Sequence, residues 1–583
     1  MKNKALWPLV VIWGIACLCG SRGCQEQERV ALLALNATLD LKYRVDAGES
    51  YFNCCSWESV DCNPTTGRVT HLMLSMSRYY HFGFKTWYLN ASLLLPFEEL
   101  KSLDLSYNYL GGWIGPEEPN LLSSRLSKLE VLDLSGNSLD NSILSILGTI
   151  PSLRSLFLGG NNLRGNLLVK GGFSNLMELD ISDNAIDAAT IEGIKNLSHL
   201  ENLYLDFVHL KHVGTIVRAL GALSSLRILS LQYNTIEGTI TTQDFHNFSK
   251  LEQLILDDSS LNTSRGILSS LGPLTSLRLL SSSRTNLSGN ISNHSLCNLV
   301  KLEELDLSFN GITSRLPICW RNMSSIRILN LEDNEFADSV VSSPLTNLTS
   351  LEFLSISGNH FDIPSSLGPL ANHSRLKVPS MTHFNLSYMD ISNNNMRGKL
   401  TTKFWANVPN PSYLNLSTNR LEGNIPSELG SVKSLDILDL SSNNFSGGLP
   451  IQLLDSKLDI LSVAYNNLQG EIVLSNHTMN PGLSFLWLEH NLFNGSLSFL
   501  SSLFDLEILD VSNNIFIGKL PRLIANMTLL VTLDLSKNQL DGLIPQELCN
   551  LDLLEYLDLS DNNLSGPLPS FFYLTVDAPH PSE

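Results

Sequence analysis

The residues that could do chemistry in this sequence follow a repeat rather than an active-site pattern. No phosphate-binding glycine loop, zinc-protease motif or nucleophile elbow is present, so we expect no enzyme. Asp recurs in the middle of many LDLS strings, which is typical of a solvated strand face and not of a paired-carboxylate site. Asp206, His209 and His212 could form a metal cluster, but Leu210 should turn inward and His212 lies past the turn. We therefore predict no catalytic residue, no metal and no cofactor.

Large side chains that interrupt the repeat are the candidate binding residues. Most repeats carry Asp, Ser or Asn at the central outward position of the strand, where Phe157, Tyr204, Ile255 and Trp487 stand instead. Rigid aromatic side chains on a fixed sheet bury much area at low entropy cost. The predicted ligand contacts are Phe157, Tyr204, Asp206, Phe207, His209, Tyr233, Ile255, Asp257 and Trp487. The alternative is that these positions have drifted without any ligand.

Two smaller features also depart from the repeat. Glu489 and His490 extend the surroundings of Trp487 into a second patch. The candidates from Phe157 to Asp257 form the first patch. Arg278, Arg284 and Arg327 form the basic cluster nearest to it, and they could meet a carboxylate or a sulfate.

A sequence repeat positions these residues, as in the strings LKSLDLSYNYL (100–110) and LEYLDLSDNNL (554–564). The pattern LxxLxLxxNxL recurs 20 times, mostly at spacings of 23 to 26 residues. The two leucines of each LxL point inward because a strand alternates faces, and one repeat cannot bury them without its neighbours. This predicts an α/β leucine-rich-repeat solenoid with a parallel sheet on the concave face.

The Asn that recurs near the end of the repeat pattern should form hydrogen bonds to backbone groups of the turn through its side-chain amide. Ser77, Val208, Ser259 and Thr285 replace it. Since Val cannot form any such hydrogen bond, we expect the ladder to be locally weak between Val208 and Thr285.

Composition and the amino end indicate a secreted, acidic chain. The formal net charge of −19 argues against a nucleic-acid partner or a polybasic membrane-surface protein. Lys2 and Lys4 precede a short apolar stretch, which predicts a signal peptide over residues 1–23, with an uncleaved anchor as the alternative. No later apolar run reaches the length of a membrane span. We expect an amino-terminal cap over 24–68, the solenoid over 69–572 and a polar tail over 573–583.

Glycosylation is predicted across much of the chain. There are 18 sequons, at Asn36, Asn90, Asn196, Asn247, Asn262, Asn286, Asn290, Asn293, Asn322, Asn347, Asn372, Asn385, Asn415, Asn444, Asn476, Asn494, Asn526 and Asn563. We expect Asn415 and Asn444 to lie on the concave side, where glycans would block binding.

Two kinds of motif carry a family resemblance. Extensions such as LEGNIP (421–426) and LSGPLP (564–569), together with the amino-terminal ERVALL and NCCSWESVDC strings, resemble the extracellular repeats and cap of plant receptor-like proteins. The resemblance implies a solenoid twisted into a right-handed superhelix, and disulfides Cys24–Cys54 and Cys55–Cys62. From the residues alone, two pairings of these four cysteines remain open.

The remaining cysteines are read from the repeat spacing. Cys297 and Cys319 are one repeat apart, so a disulfide between them is expected. Cys549 has Phe571 where a matching cysteine would stand, so it is either a buried free thiol or available for intermolecular pairing.

The resemblance also implies a function. Such proteins are kinase-less extracellular receptors that bind a peptide, protein or microbial ligand and signal in defence or development through partner receptor kinases. They usually continue into an island, a carboxyl cap and a membrane helix, so this chain looks truncated and would be extracellular as it stands, or at the plasma membrane if such a helix follows. The alternatives are a secreted inhibitor of cell-wall-degrading enzymes and a soluble decoy receptor.

Overall fold

Each repeat of the chain folds into a short strand, a turn and a return segment. The computed structural model describes residues 24–39, 53–76, 85–115, 119–165, 172–208, 213–237, 240–262, 267–291, 296–340, 343–362, 388–400, 411–474 and 482–567. The chain divides into two compact units, Met1–Leu279 and Leu280–Glu583. The predicted signal peptide and polar tail lie outside the described residues.

The first unit contains an almost wholly parallel sheet, which we call its main sheet. Its strands are Val60–Cys62, Val69–Met73, Ser102–Asp104, Val131–Asp133, Ser155–Phe157, Glu178–Asp180, Asn202–Tyr204, Ile228–Ser230 and Gln253–Ile255. Only Val60–Cys62 is antiparallel to its neighbour among these described strands. The strand Leu279–Ser281 falls at the boundary between the two units.

The second unit has a parallel main sheet of the same kind. Its strands are Glu304–Asp306, Ile328–Asn330, Phe353–Ser355, Tyr388–Asp390, Tyr413–Asn415, Ile437–Asp439, Ile460–Ser462, Phe485–Trp487, Ile508–Asp510, Thr532–Asp534 and Tyr556–Asp558. These parallel sheets confirm the predicted leucine-rich-repeat solenoid.

Short strands after the turns pair separately from the main sheets. They are Trp87–Asn90, Leu110–Ile114, Thr235–Glu237 and Ser260–Asn262 in the first unit, and Ser288–Gly289, Gly311–Ile312, Arg397–Lys399, Arg420–Gly423, Asn444–Gly447, Asn467–Glu471, Leu492–Asn494, Ile517–Lys519, Gln539–Leu543 and Asn563–Ser565 in the second. The strands from Arg397 onward coincide with the start of the LxGxIP-like extensions.

Helices form the return segments. The α-helices are Glu26–Leu39, Pro119–Arg125, Ser142–Leu147, Ala188–Ile194, Val213–Leu220 and Ile451–Leu454. The 3₁₀-helices are Cys54–Ser56, Ala91–Leu94, Thr242–Phe245, Ile267–Ser270, Leu296–Asn298, Ile318–Asn322, Pro344–Asn347, Ser427–Ser431, Leu497–Ser502, Arg522–Asn526 and Gln546–Asn550. No described helix has the length and apolar character needed to span a membrane.

The core lies between the main sheet and the return segments of each unit. The leucines of the LxL strings are buried in most repeats; Leu103 and Leu105, for example, have no exposed surface. Phenylalanines add a second buried layer in the later repeats, where the rings of Phe493 and Phe516 lie 6.2 Å apart. Burying each such side chain stabilises the fold by about 1.5–3 kcal/mol, which is why the leucine spacing dominates the sequence.

The asparagine ladder forms as predicted. Asn137 Oδ1 accepts hydrogen bonds from the backbone N–H groups of Asn108 (3.0 Å) and Leu110 (2.8 Å) in the preceding repeat. Its Nδ2 donates to the carbonyl oxygens of Leu105 and Leu134. One amide therefore joins two turns and satisfies backbone groups that the core would otherwise bury without a partner.

The ladder is weakened at Val208, while Ser259 and Thr285 keep part of it. Ser259 Oγ accepts from Asn234 N (3.0 Å) and donates to Leu231 O (2.7 Å). Thr285 Oγ1 donates to Ser282 O (2.9 Å). Val208 is buried and offers no such bond. Ser77 lies outside the described residues.

A disulfide-bonded cap covers the first strands. Cys24 pairs with Cys54 and Cys55 with Cys62, as the resemblance implies. The helix Glu26–Leu39 places the Glu28 carboxylate against the backbone N–H of Val69, at 3.2 Å. In the second unit, Cys297 pairs with Cys319 across one repeat step, whereas Cys549 is a free, half-buried thiol.

Candidate ligand-binding surface

Strand register places the interrupting side chains of the first unit in one row, on every second strand. Phe157, Asp180, Tyr204, Ser230 and Ile255 are direct partners in five neighbouring parallel strands. They alternate with the buried leucines, so Phe157, Tyr204 and Ile255 remain partly exposed on the outward side. Phe157, Tyr204 and Ile255 therefore share one face of the first unit's main sheet.

We call this surface the first-unit face and divide it into three rows. The strand row is Phe157, Asp180, Tyr204, Ser230 and Ile255; the turn row is Gly159, Ser182, Asp206, Gln232 and Asp257; the edge row is Gly160, Asp183, Phe207, Tyr233 and Asp258. Of the predicted contacts in this unit, only His209 lies outside the described residues, as does His212.

The Asp that recurs at the last position of many main-sheet strands has a structural role that the repeat pattern did not predict. Asp104 Oδ1 accepts from the backbone N–H of Ser106 at 2.9 Å and from its hydroxyl at 2.7 Å. Asp133 accepts the equivalent backbone bond from Ser135. These aspartates remain partly exposed on the strand face, and each carboxylate also caps the turn that follows its own strand.

Asp206 performs this capping across two repeats. Its Oδ1 accepts from Ser230 Oγ (2.6 Å) and from Gln232 N (2.8 Å). Burial, and secondarily the charges of Asp180 and Asp257, raise the pKa of Asp206 above the usual range of an aspartate. One of its oxygens is thus committed to the fold.

The edge row holds an exposed aromatic pair. The rings of Phe207 and Tyr233 stack with centroids 4.1 Å apart and planes inclined by 7°. They are 47% and 43% exposed. Both residues have φ of 55°, a left-handed conformation that costs a bulky residue about 1–2 kcal/mol. The repeat imposes this conformation on the residue before the ladder position, and it turns these two rings outward.

The positions that make up the first-unit face carry acidic side chains and no basic ones. Its 15 positions include five aspartates and no Lys, Arg or His. Burial raises the pKa of the Tyr204 hydroxyl, and the neighbouring carboxylates of Glu178 and Asp180 raise it further. The face is therefore an apolar and acidic surface.

The nearby arginines are engaged in ion pairs. At the start of the strands, the Arg227 guanidinium binds both carboxylate oxygens of Glu252, at 3.2 and 2.9 Å, and lies 3.7 Å from Glu201. In the second unit Arg327 binds Glu352 in the same two-pronged way. Acidic and basic side chains thus alternate from repeat to repeat, a pattern that was readable in the sequence.

Two arginines of the predicted basic cluster already have partners. Arg327 already holds a carboxylate, and the Arg284 guanidinium lies 4.2 Å from the centroid of the Phe309 ring. Both contacts compete with any added anion.

The second predicted patch surrounds Trp487. The Trp487 ring lies next to that of Phe485, and Tyr465 stacks on His490 with centroids 4.2 Å apart. Glu489 is half-buried, and its Oε2 has no hydrogen-bond partner among the described residues. Burial raises the pKa of Glu489 to about 7, and Asp510, Asp534 and Asp439 contribute. Tyr465 was not predicted, because its exposure depends on the left-handed turn.

A third aromatic group was missed entirely. Phe353, Tyr388 and Tyr413 stack consecutively, with centroids 4.2 and 4.1 Å apart. They occupy the first position of three adjacent strands. Aromatic residues at equivalent positions of successive repeats were the available signal.

Most of the described sequons lie away from the main sheets. Asn293, Asn372, Asn385 and Asn476 are outside the described residues. Among the others, only Asn415 lies in a main-sheet strand, where its Oδ1 accepts from Ser417 N. Asn444 begins the separate strand Asn444–Gly447, so its predicted place on the concave side is wrong. The LxGxIP extension moves it past the turn.

Comparison with known proteins agrees with this geometry. Leucine-rich-repeat family models match residues 504–564 and residues 128–150, 301–323, 350–370, 410–432 and 434–455. Cuscuta receptor 1 of Solanum lycopersicum is 29% identical over 86% of this chain and 60% of its own length. Receptor-like protein 14 of Arabidopsis thaliana is 32% identical over 89% of this chain and 58% of its own.

Solved plant receptor ectodomains have the same fold. The ectodomain of the Arabidopsis receptor kinase HAESA, in complex with an extended IDA peptide hormone, superposes with a TM-score of 0.59 at 26% identity. That match covers 93% of this chain and 95% of the other. HAESA with IDA and the co-receptor SERK1 gives a TM-score of 0.57 at 26% identity, over 94% of this chain and 96% of the other.

The fold and the matched repeats define a leucine-rich-repeat protein. Within that class, the chain is similar in sequence to plant receptor-like proteins and in fold to solved plant receptor ectodomains. It spans little more than half the length of the curated relatives it matches.

Proposed function

We propose that this chain is the extracellular, non-catalytic ligand-recognition region of a plant receptor-like protein. It would bind a peptide, protein or microbial ligand and signal through a partner receptor kinase. In this proposal residues 1–23 are a secretory signal, 24–68 the cap and 69–572 the repeats, with a polar tail over 573–583. The solved relatives that contain peptide hormones, and in one case a co-receptor, support the class of ligand and partner.

One observation carries the proposal. Phe157, Tyr204 and Ile255 interrupt a row of turn-capping polar residues and lie on one sheet face. No sequon lies in a described main-sheet strand of the first unit. Glycans at the described sequons of the first unit would therefore leave this face open. Phe207 and Tyr233 add exposed apolar area to the face.

Site-specific photo-crosslinking tests the proposal. A photo-reactive phenylalanine analogue is introduced at position 204 of the full chain, which is expressed in plant leaves and exposed to apoplastic fluid. The control places the same analogue at the exposed turn residue Ser224 of the same unit. We expect a discrete adduct from position 204 only. Equal labelling from both positions, or none at either position from elicited and resting leaves, would contradict ligand recognition on this face.

The signalling partner is tested separately. The full chain, isolated from leaves after crosslinking, should co-purify with a receptor kinase in proportion to the adduct at position 204. Co-purification that does not depend on the adduct would argue against ligand-controlled assembly.

A further inference from the structure

The first-unit face combines apolar rings and carboxylates in a fixed order. In its edge row, Asp183 and Asp258 flank the stacked pair of Phe207 and Tyr233. Neither aspartate forms a salt bridge with another described residue. The row therefore presents an aromatic platform with a carboxylate at each end.

Carboxylates on neighbouring strands of the first unit's main sheet repel one another. The charges of Asp104 and Asp180 add to burial in raising the pKa of Asp133, and Asp180 and Asp257 do the same for Asp206. The nearest arginine row is occupied, because Arg227 is held between Glu201 and Glu252. A cationic group arriving at this face would reduce the repulsion between these carboxylates.

The dimensions of the face suit a short extended segment. Its five strands are separated by four steps of about 4.8 Å, which gives a width of about 19 Å. An extended peptide covers about 3.3 Å per residue, so about six residues would cross it.

We propose that the first-unit face binds an extended basic peptide of about six residues, with an Arg or Lys side chain placed over Phe207 and Tyr233 and paired with Asp183 or Asp258. The inference rests on the proposed function and adds the chemistry of the ligand. A guanidinium or ammonium group is attracted both by the aromatic faces and by the carboxylates at their ends. The same charge disfavours a polyanion such as an oligogalacturonate.

Binding of defined probes to the full chain tests this inference. The probes are a hexapeptide alternating glycine and arginine, its glutamate counterpart, and hexagalacturonate, each measured at 150 mM salt by calorimetry. We expect binding of the arginine peptide alone. Tighter binding of either anionic probe would overturn the inference.

Matched variants separate this site from general attraction to an acidic protein. Asp183→Asn with Asp258→Asn, and separately Phe207→Ala with Tyr233→Ala, should each weaken the arginine peptide by about tenfold or more. The control, Asp333→Asn with Asp561→Asn, removes the same charge from two exposed residues at equivalent repeat positions of the second unit. Equal loss in the control would mean non-specific electrostatics and would overturn the inference. Thermal melting confirms that each variant is folded.

The outcome is distinguishable from failure of the proposed function. A crosslinked ligand at position 204 that lacks basic residues would leave the receptor role standing and overturn the basic-peptide chemistry. Specific arginine-peptide binding without any apoplastic adduct would support the chemistry and count against the receptor role.

Discussion

Replacing Glu489 by glutamine should remove a pH-dependent loss of stability from the second unit. The carboxyl group is half-buried, one of its oxygens lacks a partner among the described residues, and burial raises its pKa to about 7. In the unfolded chain the pKa is the ordinary 4.5. The folded state therefore holds the proton more tightly, so its stabilising effect is complete below pH 4.5 and is lost as pH rises through 7.

The magnitude follows from the difference between the two pKa values. A shift from 4.5 to about 7 corresponds to about 3.4 kcal/mol over the whole titration, and about 2.5 kcal/mol of this falls between pH 5 and pH 8. Because the side chain is partly exposed, solvent screening reduces the effect, and we take about 1 kcal/mol. Glutamine keeps the shape and cannot ionise.

Hydrogen exchange measures this effect locally, as a long repeat array need not unfold in one step. The amides of the strands Ile460–Ser462 and Phe485–Trp487 are followed at pH 5 and pH 8, with correction for intrinsic exchange. The wild type should lose about 1 kcal/mol more local stability than Glu489→Gln over this range. Glu471→Gln, an exposed glutamate on the nearby strand Asn467–Glu471, serves as the control. Equal pH dependence in wild type and Glu489→Gln would refute the assignment.

Three further changes test the fold. Asn466→Val should destabilise the second unit by about 2–4 kcal/mol in urea unfolding, because it removes hydrogen bonds to Phe445 N and to the carbonyl oxygens of Leu440 and Val463. The reverse change, Val208→Asn, should be neutral or stabilise the first unit by up to about 1 kcal/mol. A large loss of stability in Val208→Asn would contradict the role of the asparagine ladder. Replacing Cys297 and Cys319 together by serine should cost about 3 kcal/mol for a loop of 22 residues, seen as a lower melting temperature, and no change would show that the bond is absent from the native chain. Phe445→Ala should cost about 3–5 kcal/mol, whereas the exposed Tyr465→Ala should cost far less.

The periodic part of the fold could be predicted because it depends on two local rules. Alternation along a strand places Leu103 and Leu105 inward, and the side chain of Asn137 can reach both its own turn and the preceding one. These rules act within one or two repeats, so the spacing in the sequence carries them.

Other features depend on the backbone of the turn and were missed. The stacking of Phe207 on Tyr233 requires a left-handed backbone conformation at the residue before each ladder position. Residues of many types occupy that position, so the residue type does not predict the conformation. Asn444 was misplaced because the extension moves it past that turn. The ion pair of Arg227 with Glu252 could have been read from alternating charges at the strand starts, but only after the register was known.

In many repeats an aspartate at the end of the strand accepts a hydrogen bond from the backbone N–H of the following turn. The two predicted patches differ in what accepts this bond where Tyr204 or Trp487 stands in place of the aspartate. At Tyr204 the turn N–H of Asp206 finds Ser182 Oγ at 3.1 Å, and Asp206 in turn caps Gln232 in the next repeat. Neighbouring repeats thus supply the lost cap, and a large side chain stands in the strand row with its turn still satisfied. In the repeat of Asn330, which occupies the position of Trp487, the asparagine accepts from Glu332 N. In the repeat of Trp487 the corresponding N–H, that of Glu489, bonds to the carboxylate of Glu489 itself, whose Oε2 has no partner among the described residues. The first-unit face is therefore compatible with a rigid, preorganised recognition surface, while the surroundings of Trp487 retain an unsatisfied carboxyl group that responds to pH.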